Sequence, residues 1–143
     1  MKIFYFDTQH AIKTHDWIIN HSGGLAGNRE IGLLDSVLEH LQNDSYYPSF
    51  VEKLKHLIIA VNKFHPFNDG NKRSSLVLGA YFLELNGYDY CVKKFIYEME
   101  EIVVWIAEGK INDDLLLDIL RSIIEEDEFD ESIKLRIIES VWE

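Results

Sequence analysis

The sequence predicts an all-α fold of six to eight helices, and three observations lead there. Apolar residues recur at three- and four-residue spacing through most of the chain. Capping residues and glycines cut that pattern into segments of helical length. Internal repeats and Pro/Ser-rich linkers are absent, and 143 residues include only two prolines, which leaves one domain over residues 1–143.

Taken in order, the chain begins with an aromatic stretch, Ile3 to Phe6, after which Thr8 is placed to cap a helix carrying Ala11, Ile12, Trp17 and Ile18. That helix should stop before Gly23-Gly24. Ser22 to Gly32 holds four glycines and is expected to be a loop. A second helix uses Leu33, Leu34, Val37, Leu38 and Leu41 as one face, and Asn43 to Ser49, with Pro48, turns the chain into a third. There Phe50, Leu54, Leu57, Ile58, Val61 and Phe64 recur at helical spacing, so this helix should be central; it delivers His65 at its end. A fourth helix should start around Asn71, carry Leu76, Val77, Ala80, Tyr81 and Leu83, and stop at Asn86-Gly87. Tyr88 to Val92 reads as a short strand. Phe95 to Glu108 reads as a helix stopped by Gly109, and Asn112 caps another from Asp113 to about Glu125, with acids in the first turn as the helix dipole favours. The last helix begins near Asp130. Its Ile133, Ile137, Ile138, Val141 and Trp142 form an apolar stripe expected to pack on the protein's own helices.

A chain that is 47% hydrophobic at this length supports one core and is too short for two ordinary domains. No apolar run approaches the roughly 18 residues needed to cross a bilayer, and no basic, then hydrophobic, leader is evident, so a soluble cytoplasmic protein is expected. The single cysteine, Cys91, excludes an intrachain disulfide and is read as a structural residue. The net charge of −11 is uneven: residues 1–97 hold ten basic and ten acidic side chains, whereas residues 98–143 hold four basic and fifteen acidic. A nucleic-acid binder needs a basic face, so direct DNA or RNA binding is disfavoured. The acidic end reads as a solvated face, with a basic protein partner as the alternative.

The chemistry is concentrated in nine residues, His65-Pro66-Phe67-Asn68-Asp69-Gly70-Asn71-Lys72-Arg73. Transfer of a phosphate-containing group to a hydroxyl requires a base, a metal to gather phosphate charge and fixed donors around the moving group. His65 is the one group in the run that accepts a proton near neutral pH. Asp69 is a hard oxygen ligand of the kind Mg²⁺ takes, since that ion is held by one or two carboxylates plus the phosphates. Gly70 lets the backbone approach an anion, and Asn71 to Arg73 would present N–H groups at a helix N-terminus. Arg73 has the fork that grips phosphate oxygens. Phe67 is apolar in a polar loop and should anchor it in the core. Each residue alone has a plainer reading, as helix cap, turn former or surface charge; their joint order changes the odds.

That order resembles the signature of the Fic/Doc (filamentation induced by cAMP, death-on-curing) family, His-x-Phe-x-Asp/Glu-Gly/Ala-Asn-Gly/Lys-Arg, at every fixed position. Similar segments include Gly23-Gly24-Leu25-Ala26-Gly27, Arg29-Glu30, Gly32-Leu33-Leu34 and Leu83-Glu84-Leu85-Asn86-Gly87, so the resemblance covers about residues 8–124 and leaves 125–143 as an acidic helical extension. It implies a Fic fold, with the signature loop between two central helices and room for one short β-hairpin or flap. It further implies that His65 deprotonates a target hydroxyl and that Asp69 holds Mg²⁺. Asn68, Gly70, Asn71, Lys72 and Arg73 would bind the phosphates of ATP, with Ser22 to Gly32 as the flap that docks the target.

Two kinds of chemistry are known in such a fold. AMP-transferring members resemble Gly-Asn-Gly-Arg followed three residues later by a second Arg; death-on-curing kinases resemble Ala-Asn-Lys-Arg without it and place the γ-phosphate beside the base. Here Gly70 follows the first pattern while Lys72 and Leu76 follow the second, which favours phosphotransfer over AMPylation. The resemblance also implies a toxin with a protein antitoxin, and a target protein for which translation elongation factor Tu is the first candidate. An inhibitory-helix motif is matched only approximately, by Ser122 to Glu126 followed by Asp127, so control by a separate antitoxin is the better inference. A silent antitoxin-binding protein is the rival, opposed by the joint retention of His65, Asp69, Asn71 and Arg73, because binding alone needs no base. His15-Asp16 suggests a metal-dependent phosphohydrolase, but such enzymes need a histidine well upstream and an aspartate well downstream of the pair, and only His10 precedes it. No HExxH motif or Cys/His cluster marks a zinc site.

Overall fold

A computed structural model describes residues 2–142. Seven α-helices appear among them: α1 (Thr8–Ser22), α2 (Ile31–His40), α3 (Phe50–Phe64), α4 (Asn71–Leu85), α5 (Val92–Ala107), α6 (Asp113–Glu125) and α7 (Glu131–Trp142). The fold is all-α as expected, and no sheet forms among the described residues; the one β-pairing there is an isolated antiparallel bridge, Asn28 to Phe67.

α3 runs through the middle, with Leu54, Leu57, Ile58 and Val61 fully enclosed, and it packs on α2, α4, α5 and α6. Ser49 caps its start by accepting the Glu52 N–H at 3.3 Å. α4 packs against it through Leu78, Phe82 and Leu83, and Phe50 and Phe82 meet with ring centroids 4.8 Å apart. The two helices leave the loop 65–70 between them at one end of the core.

Several boundaries differ from expectation. Asp7, not Thr8, caps α1: its Oδ1 accepts the His10 N–H at 2.9 Å, while Thr8 is helical and donates to Asp35 at 2.7 Å. The expected strand at Tyr88 to Val92 is instead a 3-10 turn, Asp89–Cys91, running straight into α5, which therefore starts at Val92 rather than Phe95. The ring of Tyr88 stacks on Phe50 at 4.7 Å, so the aromatic that suggested a strand is a core anchor for a turn. Cys91 is buried, donates to the Tyr88 carbonyl at 3.2 Å, and has its thiol pushed up by burial, all in keeping with a structural role. On α7 three of the five residues of the expected stripe pack inward. Ile133 is buried and Ile137 and Val141 lean on the core, whereas Ile138 and Trp142 are 52% and 82% exposed.

Lys53, on α3, is fully enclosed. Its Nζ donates to the Leu41 carbonyl at 2.5 Å and to Asp44 at 3.0 Å, and it lies 5.7 Å from the centre of the Tyr5 ring. The ammonium thus closes the end of α2, where the last carbonyls lack helical partners. Lys53→Met keeps the stem and orphans that carbonyl, so urea denaturation is expected to show a loss of about 1–3 kcal/mol.

Candidate active site

α3 ends in an unusual way. His65 adopts φ 50° and ψ 59°, the left-handed region, and among the described residues it is the only non-glycine with positive φ. Such a conformation turns the chain sharply out of α3 and leaves the imidazole exposed beside the next helix start. Pro66 and Phe67 then dive inward. Phe67 is fully enclosed, as expected of a loop anchor, and Asn71 clamps its backbone from both sides, accepting from Phe67 N–H at 3.1 Å and donating to Phe67 O at 3.0 Å. The Asn71 side chain thereby holds the loop, and its main-chain N–H remains for an anion.

The chain next turns through Gly70 (φ 74°) into α4. No side chain caps α4 there, so the N–H groups of its first turn remain for an anion, and the helix dipole adds positive potential at the same point. His65, Asn68, Asp69, Gly70, Asn71, Lys72 and Arg73 all line one open cavity of about 270 Å³, joined by Asn62 and Ala107. Every residue that the sequence singled out for the site is therefore in one place.

The glycine-rich segment folds over the loop. Arg29 and Glu30 N–H both donate to the Pro66 carbonyl (2.8 and 3.0 Å), Asn68 N–H donates to Gly27 O at 3.0 Å, and Asn68 Nδ2 to Ala26 O at 3.0 Å. Asp69 is held from two sides, Oδ2 by Leu25 N–H at 3.1 Å and Oδ1 by Gly70 N–H at 2.8 Å. Those two N–H groups, with Arg73 nearby, hold its carboxyl below the usual carboxylate range, so it stays an anionic oxygen donor throughout neutral pH. Gly24 lies so close that a Cβ there would stand 2.6 Å from Asp69 Oδ2, at φ +120°. Arg73 donates through Nη1 to Ser22 Oγ at 2.5 Å and Gly23 O at 3.0 Å, which ties it to the end of α1.

Four participants escaped the sequence reading: His15, Ser22, the Leu25 N–H and Asn62. His15 and Asp16 are no metal pair, since His15 is buried and the Asp16 side chain is 57% exposed. The periodicity offered a signal for His15, which lies four residues after Ala11 and three before Ile18 on the buried face of α1. Asn62 lies next to Val61 on the inner side of α3 and donates through Nδ2 to Ile58 O and Ser75 Oγ, both at 2.9 Å. Ser75 spends its own proton on Lys72 O at 2.8 Å, so the amide must face it with the donor, and Oδ1 is left buried without a partner among the described residues. Backbone groups such as the Leu25 N–H carry no side-chain signature at all.

Chemically, the arrangement provides an exposed imidazole, a fixed carboxylate, an open helix N-terminus and an anchored guanidinium around one hollow. No group of three or more His, Cys, Asp or Glu able to hold a metal by themselves exists among the described residues. Asp69 is the kind of single carboxylate that would suit an ion completing its shell with phosphate and water, as Mg²⁺ does.

Residues 5–83 match the model of the Fic/DOC family. The chain belongs to the Fic/DOC family. The matched span runs from the first packed aromatics into the last turn of α4, taking in the signature loop and the flap over it. This Fic/DOC chain is also 26% identical to "Protein kinase doc" of Escherichia phage P1 over 122 residues, which is 83% of this chain and 94% of that protein. No helix among the described residues is long and apolar enough to cross a membrane.

Proposed function

We propose that the protein transfers the γ-phosphoryl group of ATP to a hydroxyl of a target protein, acting as the toxin of a toxin–antitoxin pair. The observation that carries this reading is the convergence of His65, Asp69, Arg73 and the uncapped start of α4 on one cavity. In the reaction, His65 takes the hydroxyl proton as the oxygen attacks the γ-phosphorus; the bond from that phosphorus to the β-phosphate oxygen breaks, and ADP leaves with the electron pair. Mg²⁺, held by Asp69, would neutralise phosphate charge. The α4 N–H groups and Arg73, whose protein bonds use only Nη1, brace the moving group. Catalysis of this type is mostly positioning and electrostatics, which suits a site rich in donors and poor in nucleophiles.

A nucleotide suits the space better than phosphate alone. A second hollow of about 370 Å³, lined by Ile59, Ile106 and Ile111 together with Lys63 and Asp113, shares Asn62, His65 and Ala107 with the first and has the size for a nucleoside. Asn62 lines both hollows, with its unpartnered Oδ1 buried behind them.

Phosphotransfer is favoured over AMPylation by what surrounds Leu76. In this chain position 76, where AMP-transferring members place their second Arg, is Leu; it lines a groove with Trp17, Ile18 and Val77 whose cation is Arg73, already bonded to Ser22 and Gly23. Gly70 carries less weight for AMPylation than its identity suggests, because its left-handed backbone and the Arg73 Nη2 3.2 Å from a Cβ built there already account for it. The relative from phage P1 is named a protein kinase, in keeping with this reading. A silent antitoxin-binding role is opposed by an exposed imidazole placed at strained backbone beside an anion site. An internal inhibitory helix is also disfavoured: Ser122 is buried within α6 and Lys94 binds the Glu126 carbonyl, which turns that end of α6 towards α5.

Incubating the protein with a bacterial lysate and ATP labelled on either the γ- or the α-phosphate tests the proposal. Label should reach protein from the γ-position only; α-label on protein would establish AMP transfer instead. Lys72→Gly removes a cation from the cavity rim and is expected to raise α-label transfer relative to γ-label. An unchanged ratio would remove Lys72 as the determinant of the product.

A further inference from the structure

His15 sits behind the site and faces no solvent. Its ring lies flat on Phe67, with centroids 3.9 Å apart and planes at 4°, and Nε2 stands 2.6 Å from the main-chain oxygen of Asp69. A carbonyl only accepts, so Nε2 carries the proton in this bond. Nδ1 is buried with no hydrogen-bond partner among the described residues, and the nearest carboxylate oxygen, Asp16 Oδ1, is 3.9 Å away, beyond hydrogen-bond range. An orphaned buried nitrogen is a cost that an apolar ring would not carry. What imidazole supplies here, and Phe or Leu would not, is the single donor to Asp69.

That donor acts on a sensitive bond. The Asp69 C=O and the Gly70 N–H share one peptide plane, and the residue following it is a glycine at φ 74°, where rotation of the whole peptide meets least resistance. A flip would point the carbonyl towards the anion site and carry the Gly70 N–H away from Asp69 Oδ1, to which it now donates at 2.8 Å. One rotation would therefore leave the carboxylate with the Leu25 N–H alone of its two holds and put a negative dipole where phosphate must sit. His15 holds the carbonyl on the far side.

We propose that His15 is a positioning residue of the transfer site, locking the Asp69–Gly70 peptide so that the Asp69 carboxylate and the start of α4 keep their direction. It touches no substrate. The inference rests on the transfer reading above for its kinetic consequence, but not for its structural one.

The test compares His15→Phe, which keeps a ring on Phe67 and removes the donor, with His15→Gln, whose amide nitrogen can occupy the Nε2 position and donate. For each, γ-label transfer from ATP and the NMR shift and hydrogen exchange of the Gly70 amide are measured. His15→Phe should fold and move the Gly70 amide signal, exchange it faster, and lower kcat about 10²-fold, the scale of a displacement of about 1 Å at a reacting centre. His15→Gln should recover most of both. A His15→Phe protein with the wild-type Gly70 signal and rate overturns the proposal, and so does a folded His15→Gln as impaired as His15→Phe, since ring packing would then be the determinant. If wild-type protein transfers no label, the functional reading fails by itself, and the Gly70 amide still decides the role of His15: a shifted signal in His15→Phe supports it and an unshifted one overturns it.

Discussion

His65→Ala is expected to reduce label transfer by at least about 10²–10⁴-fold, the usual contribution of a positioned base. The imidazole is exposed and its helix is already complete at Phe64, so the thermal unfolding midpoint should stay close to that of the wild type. The left-handed backbone at this position calls for a control, because Ala and His fit it differently. His65→Asn, from a residue type that tolerates the conformation, separates loss of the base from disturbance of the turn: both variants should be inactive. A folded variant of either kind that transfers at the wild-type rate would take the base role away from His65.

Phe67→Ala should have the largest effect on stability in the loop, about 3–5 kcal/mol by urea denaturation, as for a large aromatic removed from a sealed core. Phe67 is fully enclosed, faces His15, and its backbone is gripped by Asn71 and paired with the glycine-rich segment. Loss of the ring therefore loosens the flap, the loop and the start of α4 together. Activity should fall further than the fraction folded, because the loop loses its anchor even in molecules that remain native. A loss below about 1 kcal/mol would mean that the surrounding helices close over the cavity and that the loop is held by its hydrogen bonds alone.

Helix positions were legible where pattern and cap agreed. Phe50, Leu54, Leu57, Ile58 and Val61 mark a continuous stripe that became the buried face of α3, and Asn112 followed by two acids marked the start of α6. Legibility failed where two local signals competed. Asp7 and Thr8 are both good caps and adjacent, so only the observed bond to His10 decides between them. Tyr88 and Val92 have strand-like side chains, but a strand needs a partner edge, which an all-helical core does not supply; Tyr88 packs on Phe50 and the chain coils instead. In α7 the apolar residues span too wide an arc for one interface: Ile133, Ile137 and Val141 share one side, and Leu135, Ile138 and Trp142 fall on the other and remain exposed.

The candidate site was legible because one nine-residue run carries its side chains and the structure keeps them on one cavity. Its supporting parts were not, since they come from elsewhere in sequence and often from the backbone. The Leu25 N–H on Asp69, the Ser22 hydroxyl and Gly23 carbonyl on Arg73, and His15 under Asp69 all belong to α1 and the flap. Only His15 had a readable signal, its place on the buried face of α1, and a buried histidine does not reveal from sequence what it bonds to.

Intact-mass analysis of proteins incubated with ATP, Mg²⁺ and this protein tests the central claim most directly, with purified elongation factor Tu as the first substrate and fractionated lysate proteins beside it. A phosphoryl-sized gain on a target, present with the wild type and missing with His65→Ala, is the expected result. An AMP-sized gain, or no nucleotide-dependent gain on any protein from an active preparation that binds ATP, would contradict it.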